Sequence, residues 1–203
     1  MLSALSGVRV VELSHIMAGP VCGLLLGDLG ADVIKVERLP NGDGTRGFVP
    51  PDVKGESAAF MMLNRGKRGV AVDLRSEEGR SVVRRLVKDA DVIIENFRAG
   101  TMEKMGLGYD DLSAINEKLV YCQITGFGST GPMSNRGGFD LIAQGYSGLM
   151  SVTGEGPGRA PVKVGAPVTD ITAGILAALG VVSALFERER TGKGQHVDTS
   201  LFE

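Results

Sequence analysis

Residues 8–37 read VRVVELSHIMAGPVCGLLLGDLGADVIKVE, and this stretch decides the fold. Val8 to Leu13 is a short β-branched run closed by Ser14 and His15. Val21 to Leu29 is apolar and helical in pattern, and Gly30 ends it. Asp32 to Glu37 is a second β-branched run. A strand, a helix and a strand in so short a span is the repeating unit of a parallel sheet.

The alternation continues outward from there. Further strands are expected at Gly69–Leu74, Val92–Glu95, Leu119–Thr125 and Gln195–Thr199. Helices are expected at Ser57–Leu63, Glu77–Asp89 with Ser76 as its cap, Thr101–Met105, Asp110–Asn116, Asp140–Leu149 and Ile171–Arg190. Arg38–Lys54 and Gly126–Gly138 read as Gly-rich loops. The expected fold class is α/β, a parallel sheet with helices on both faces. Such sheets bind ligands at the carboxyl ends of their strands. Those ends carry Ser14-His15, Glu37-Arg38, Leu74-Arg75, Asn96-Phe97-Arg98 and Thr125-Gly126, so three of them present an arginine.

Composition sets the outer limits. At 203 residues the chain is one domain, two at most. Hydrophobic residues at 43% and charged residues at 23% are those of a folded protein. Glycine, at 30 residues, is in excess, which points to tight turns and close backbone approaches. A net charge of −2 argues against a nucleic-acid or polybasic membrane role. Cys22 and Cys122 lie in apolar runs and His15 and His196 are far apart, a pattern of two reduced core thiols in a cytoplasmic protein rather than of a disulfide framework or zinc site. No secretory signal is apparent in Met1 to Leu13. The longest apolar stretch, Ile171 to Phe186, is shorter than the ~20 residues that span a bilayer and reads as a buried helix.

Two segments match GxGxxG, Gly42–Gly47 and Gly126–Gly131. The fingerprint needs its third glycine to open a helix. Proline follows both segments and neither follows the first strand, so both are read as coincidences of a Gly-rich chain. No P-loop occurs. Glu37-Arg38 is more informative: an acid at the end of the second strand can take a ribose hydroxyl, and the arginine a ribose phosphate, as in NADP or coenzyme A. His15 stands after the first strand, either as a base or as a local hydrogen-bonding or pocket residue. Asp170 sits between the extended, uncharged Val164–Thr169 and an apolar helix. It reads either as a plain helix cap or as a reactive carboxylate kept ionised by the helix N-terminus.

With these residues in view the chain resembles the family III CoA-transferases, which include formyl-CoA transferase and carnitine CoA-transferase. The resemblance rests on LSGVRVVELSHIMAGP, LGDLGADVIKVERLPNGDGTRG, NRGKRGVAVDLRSEEG, DVIIENFRAGTMEKMGLGYDDL, ITGFGSTGP, GGFDLIAQGYSGLMSVTG, VGAPVTDITAGILAALGVVSAL and RTGKGQHVDTSLFE, which follow one another along almost the whole chain. It implies a Rossmann-like large domain that binds CoA and uses an aspartate nucleophile, here Asp170. It implies CoA contacts at His15, Met17, Ala18 and Arg38, at Val72 to Arg75, at Asn96, Phe97, Arg98 and Lys104, and between Arg136 and Asp140. Family members continue beyond the position of Glu203 into a smaller domain and form an interlocked homodimer, so residues 1–203 are expected to be an incomplete large domain.

The implied reaction moves CoA from an acyl-CoA to a carboxylic acid, with no metal and no separate cofactor. Three rivals remain. A racemase of the same fold needs a second acid–base group. The family's racemases carry a histidine where this chain has Phe139 in Gly138-Phe139-Asp140. A non-catalytic CoA-binding fragment is the second rival. An NADP-dependent dehydrogenase is the third, and the missing fingerprint after the first strand counts against it.

Overall fold

A computed structural model describes residues 3–203. Six strands form one sheet: β1 (Arg9–Glu12), β2 (Asp32–Arg38), β5 (Arg68–Val72), β6 (Val92–Glu95), β7 (Val120–Thr125) and β8 (His196–Ser200). A two-residue hairpin, β3 (Asp52–Val53) and β4 (Glu56–Ser57), stands apart. The large sheet runs β5-β2-β1-β6-β7-β8, and every pairing is parallel. Counted along the chain the order is third, second, first, fourth, fifth, sixth, the Rossmann arrangement.

Parallel strands are covered on both faces, so successive residues enter opposite cores. Val10, Val92, Ile94, Val120, Cys122 and Ile124 face one helical layer. That layer is α1 (Ala18–Asp28) and α8 (Val168–Thr191). Val11, Ile93 and Tyr121 face the other, where α3 (Glu77–Lys88), α4 (Thr101–Lys104) and α5 (Tyr109–Ser113) pack. α3 is a well-marked helix: Ser76 Oγ accepts from Gly79 N at 3.0 Å, Glu77 and Glu78 lie in its first turn, and Lys88 in its last. α2 (Ala58–Asn64), α6 (Asp140–Tyr146) and α7 (Leu149–Val152) complete the chain. The expected helix over Asp140–Leu149 is broken at Gly148, whose φ of +78° starts α7.

α8 departs from its expected role as a buried helix. By length and composition it would suffice to cross a membrane. Its Ala173, Ala177, Ala178, Val181, Ala184 and Leu185 lie in the core. Ile175, Leu179 and Phe186 stay open, Leu179 at 62% exposure. Small residues let α8 approach α1 closely: a Cβ on Gly174 would come 2.6 Å from the Ala18 carbonyl. Cys22 and Cys122 are both buried free thiols on this face.

Candidate active site

The strand order reverses between β1 and β6, and crevices for ligands open at such a reversal. The turn after β1 and the turn after β6 are joined there. His15 N donates to Asn96 Oδ1 at 2.9 Å, and Asn96 Nδ2 donates to the His15 carbonyl at 2.8 Å. The rings of His15 and Phe97 meet edge to face at 5.7 Å. Burial lowers the His15 pKa, Lys35 and Arg38 lower it further, and Asp43 opposes them. His15 Nδ1 is buried with no hydrogen-bond partner among the described residues. The lowered pKa disfavours the charged ring, which lines both clefts.

Two clefts flank this junction. The first, about 450 Å³, is lined by His15, Glu37, Arg38, Gly42, Arg75 and Phe97 among others. Arg38 Nε donates to the Gly42 carbonyl at 3.2 Å. Arg75 is held against Asp73 at 2.9 Å. Glu37 does not keep a carboxylate free for a ribose: it takes Arg46 through two bonds of 2.7 Å and the amide of Asp43 at 2.8 Å. The Arg46 guanidinium accordingly holds the Glu37 pKa low.

The second cleft, about 560 Å³, contains Asp170. With it stand His15, Met17, Ala18, Asn96–Arg98, Arg136 and Phe139, drawn from three segments that sequence separates. Arg98 and Arg136 have no ion-pair partner within 4.0 Å among the described residues. So the cleft offers two guanidinium groups beside one carboxylate.

Asp170 is half-buried and is not a helix cap. α8 begins two residues earlier, at Val168, with Pro167 before it. Burial pushes the Asp170 pKa up to about 6, and the negative charge of Asp140 adds to the rise. The helix end was expected to hold the group low, and desolvation outweighs it. At neutral pH the carboxylate is still mostly ionised.

Asp140 supplies the cap instead. Its Oδ1 accepts from Thr169 N at 2.9 Å and Thr169 Oγ1 at 2.8 Å, and its Oδ2 accepts from Gln144 Nε2 at 2.6 Å. Gln144 Oε1 in turn accepts the amide of Val164 at 2.8 Å. Asp140, expected as a CoA contact, thus has one oxygen committed to the start of α8 and the other to Gln144 in its own helix. Val72 and Lys104 also line neither cleft. Val72 ends β5 inside the core, and Lys104 is exposed at the end of α4.

Both Gly-rich segments read as coincidence belong to the site, though as walls and not as a dinucleotide fingerprint. Gly126 lines the Asp170 cleft, and a Cβ there would lie 2.5 Å from Gly138 N. Asp43, inside the other segment, anchors the turn after β1 by accepting from Ile16 N at 3.2 Å. Among the described residues, no group of three or more His, Cys, Asp or Glu side chains is placed to hold a metal ion.

Comparison with known proteins agrees with this fold. The model of the family described as CoA-transferase family III matches residues 5–203. Succinate–glutarate CoA-transferase of Agrobacterium fabrum is 49% identical over 205 residues, which cover 98% of this chain and 51% of that protein. Succinyl-CoA:glutarate CoA-transferase of Mus musculus is 44% identical over 200 residues, covering 98% and 46%. A crystal structure of a CAIB/BAIF family protein from Brucella suis superimposes with a TM-score of 0.95 at 53% identity, covering 100% of this chain and 54% of that one. The chain spans about half the length of the curated relatives it matches.

Proposed function

Because the chain belongs to CoA-transferase family III, we propose that it carries the CoA site and the nucleophile of an enzyme that moves CoA from an acyl-CoA to a free carboxylic acid. The carrying observation is the shared cleft in which half-buried Asp170 stands with the His15–Ala18 turn and Asn96–Arg98. CoA lies across the strand reversal in this reading, its phosphorylated adenosine toward Arg38 and Arg75 and its thioester toward Asp170.

The Asp170 carboxylate attacks the thioester carbonyl carbon. The C–S bond breaks, CoA leaves as thiolate, and an aspartyl–acyl anhydride remains. The thiolate attacks the aspartyl carbonyl, expels the donor carboxylate and leaves an aspartyl-CoA thioester. An acceptor carboxylate oxygen then attacks that carbonyl and releases the thiolate again. The thiolate takes the new acyl group and frees Asp170. Charge and protons balance over the cycle, so the site must place one weak nucleophile well and exclude water.

The names of the relatives, succinyl-CoA:glutarate and succinate–glutarate CoA-transferase, point to short dicarboxylic acids as donor and acceptor. Unpaired Arg98 and Arg136 support that choice, since a guanidinium fork fits a second carboxylate. Racemisation is disfavoured by Phe139, a side chain without a proton to exchange, in the Asp170 cleft. We extend the proposal to a homodimer in a reducing compartment, supported by the open apolar side of α8 and the two free thiols.

Trapping tests the mechanism. Full-length enzyme is incubated with succinyl-CoA and then with hydroxylamine, and its peptides are weighed. A hydroxamate on Asp170 is the expected product. Turnover with the adduct on Asp140 or Glu155 would overturn the assignment.

A further inference from the structure

Four charged side chains meet out of solvent beneath the turn after β1. Lys35 Nζ lies 2.8 Å from Glu12 Oε1 and 3.0 Å from Asp43 Oδ2, and donates to the Ser14 carbonyl at 2.9 Å. Lys67 Nζ lies 2.8 Å from Glu12 Oε2 and donates to the Pro20 carbonyl at 2.9 Å and to Asn64 Oδ1 at 3.0 Å. Each of these four side chains is at most 2% exposed. Two cations and two anions make the quartet neutral.

Such a cluster is a poor device for stability alone, because apolar residues of similar volume often serve as well. What distinguishes it is where its bonds end. Lys35 ends on the backbone of Ser14, and Asp43 Oδ1 ends on Ile16 N at 3.2 Å and on Thr45 N and Oγ1 at 2.9 Å each. From the other side Asn96 holds His15 by both its amide and its carbonyl. Ile16 between them has φ +67°. A β-branched residue in the left-handed region is a true outlier and persists only when its surroundings enforce it. The surroundings are tight: a Cβ on Gly44 would lie 2.8 Å from Ile16 Cδ1, and one on Gly23 would lie 2.0 Å from Glu12 Oε2. Met17 and Ala18, the next residues, line the cleft with Asp170.

We infer that Asp43, backed by Lys35, is a positioning residue for the transfer reaction: it holds Ile16 in its left-handed conformation and thereby fixes Met17 and Ala18 in the Asp170 cleft. The inference rests on Asp170 as the nucleophile. Asp43 is ionised while it does this. Burial alone would raise its pKa, but Lys35 and the amides of Thr45 and Ile16 bring it down to about 2.

The test uses full-length enzyme with Asp43→Ala, Asp43→Asn, Ile16→Gly and the Asp43→Ala/Ile16→Gly double variant. Asp43→Ala should lower kcat roughly ten- to hundred-fold while KM for acyl-CoA stays within about threefold. Asp43→Asn keeps an acceptor for Ile16 N and should recover most of the loss. Glycine has no left-handed penalty, so the loss from Asp43→Ala should shrink in the Ile16→Gly background. Amide exchange at Ile16 should speed up in Asp43→Ala whatever the activity. Unchanged exchange at Ile16, or kcat losses that multiply independently in the double variant, would overturn the inference. If Asp43→Ala does not fold, Asp43→Val, which keeps bulk but offers no acceptor, forms the same cycle with Ile16→Gly. Should Asp170→Ala keep its turnover, the nucleophile assignment fails, and the exchange measurement still judges the hold of Asp43 on Ile16.

Discussion

Asp140 Oδ1 accepts the amide hydrogen of Thr169 at 2.9 Å, and so fixes the residue immediately before Asp170. The same carboxylate adds to the rise that burial gives the Asp170 pKa, to about 6. One side chain therefore both places the candidate nucleophile and tunes it. The attacking form is the ionised one, so kcat/KM should fall as pH drops through about 6. Asp140→Asn removes the neighbouring charge and keeps an acceptor for Thr169. Its acid limb should move to lower pH, and an unmoved limb would show that Asp170 does not set the profile.

Asp170→Ala should abolish transfer while CoA affinity stays within a few-fold, because in the proposed mechanism the carboxylate acts on the acyl carbonyl and not on the nucleotide. Asp170→Asn should fail as well, since a neutral amide is no nucleophile. Equilibrium binding of CoA beside a transfer assay separates the two effects. Near-normal turnover by either variant would move the chemistry elsewhere.

Among the described residues, the head group of Arg38 in the first cleft is bonded only to a backbone carbonyl, whereas Arg75 already has Asp73. A charge-assisted phosphate bond contributes about 1.5–3 kcal/mol, so Arg38→Ala should weaken CoA roughly ten- to hundred-fold. Dephospho-CoA should be nearly unaffected, and Arg75→Ala should cost less than Arg38→Ala. Equal losses for CoA and dephospho-CoA would remove Arg38 from the 3′-phosphate.

Glu95 ends β6 with its carboxylate buried, accepting from Phe97 N and from Gln123 Nε2 at 2.7 Å each. Burial raises its pKa from 4.5 to about 7 and those two bonds only partly oppose it. A raised acid favours the fold while protonated in both states, below about pH 4.5, and that contribution is lost as pH rises through about 7. Glu95→Gln should flatten the fall in stability between pH 5 and pH 8, by on the order of 2–3 kcal/mol. Urea midpoints at the two pH values measure it, and parallel slopes in both proteins would refute it.

An isolated 203-residue chain should self-associate. Phe139, Tyr146, Ile175, Leu179 and Phe186 are all exposed, and so much large apolar surface seeks cover. Sedimentation should show species larger than one chain, and a stable monomer would count against the homodimer proposal.

Much of this was legible in the sequence. The strand–helix–strand stretch gave the sheet, and Ser76 and Gly30 marked their turns as read. Asp170 was picked out by its place before an apolar helix. Its exact turn is hidden because Val168 and Thr169 look extended beside Pro167, yet Asp140, 29 residues before Thr169, ties Thr169 into the helix. The buried quartet was invisible for a related reason. In Asp32–Glu37 the polar residues seem to face water, but a sheet covered on both sides leaves Lys35 nowhere to go except inward. The other three members of the quartet come from three other segments, and no local spacing announces them. Val72 and Lys104 lie outside both clefts because a family pattern marks a segment, while packing decides which way each of its side chains faces.

The quartet also divides the site by its response to ionic strength. Debye screening acts on charges in water, within about 10 Å at 0.1 M, and barely reaches pairs sealed from it. Glu12, Lys35, Asp43 and Lys67 are sealed, whereas Arg75 and Asp73 at the rim of the first cleft stand in solvent. Rising salt should therefore loosen the grip on the nucleotide and leave the geometry around Asp170 intact, so the enzyme in brine would need more substrate but turn it over as fast.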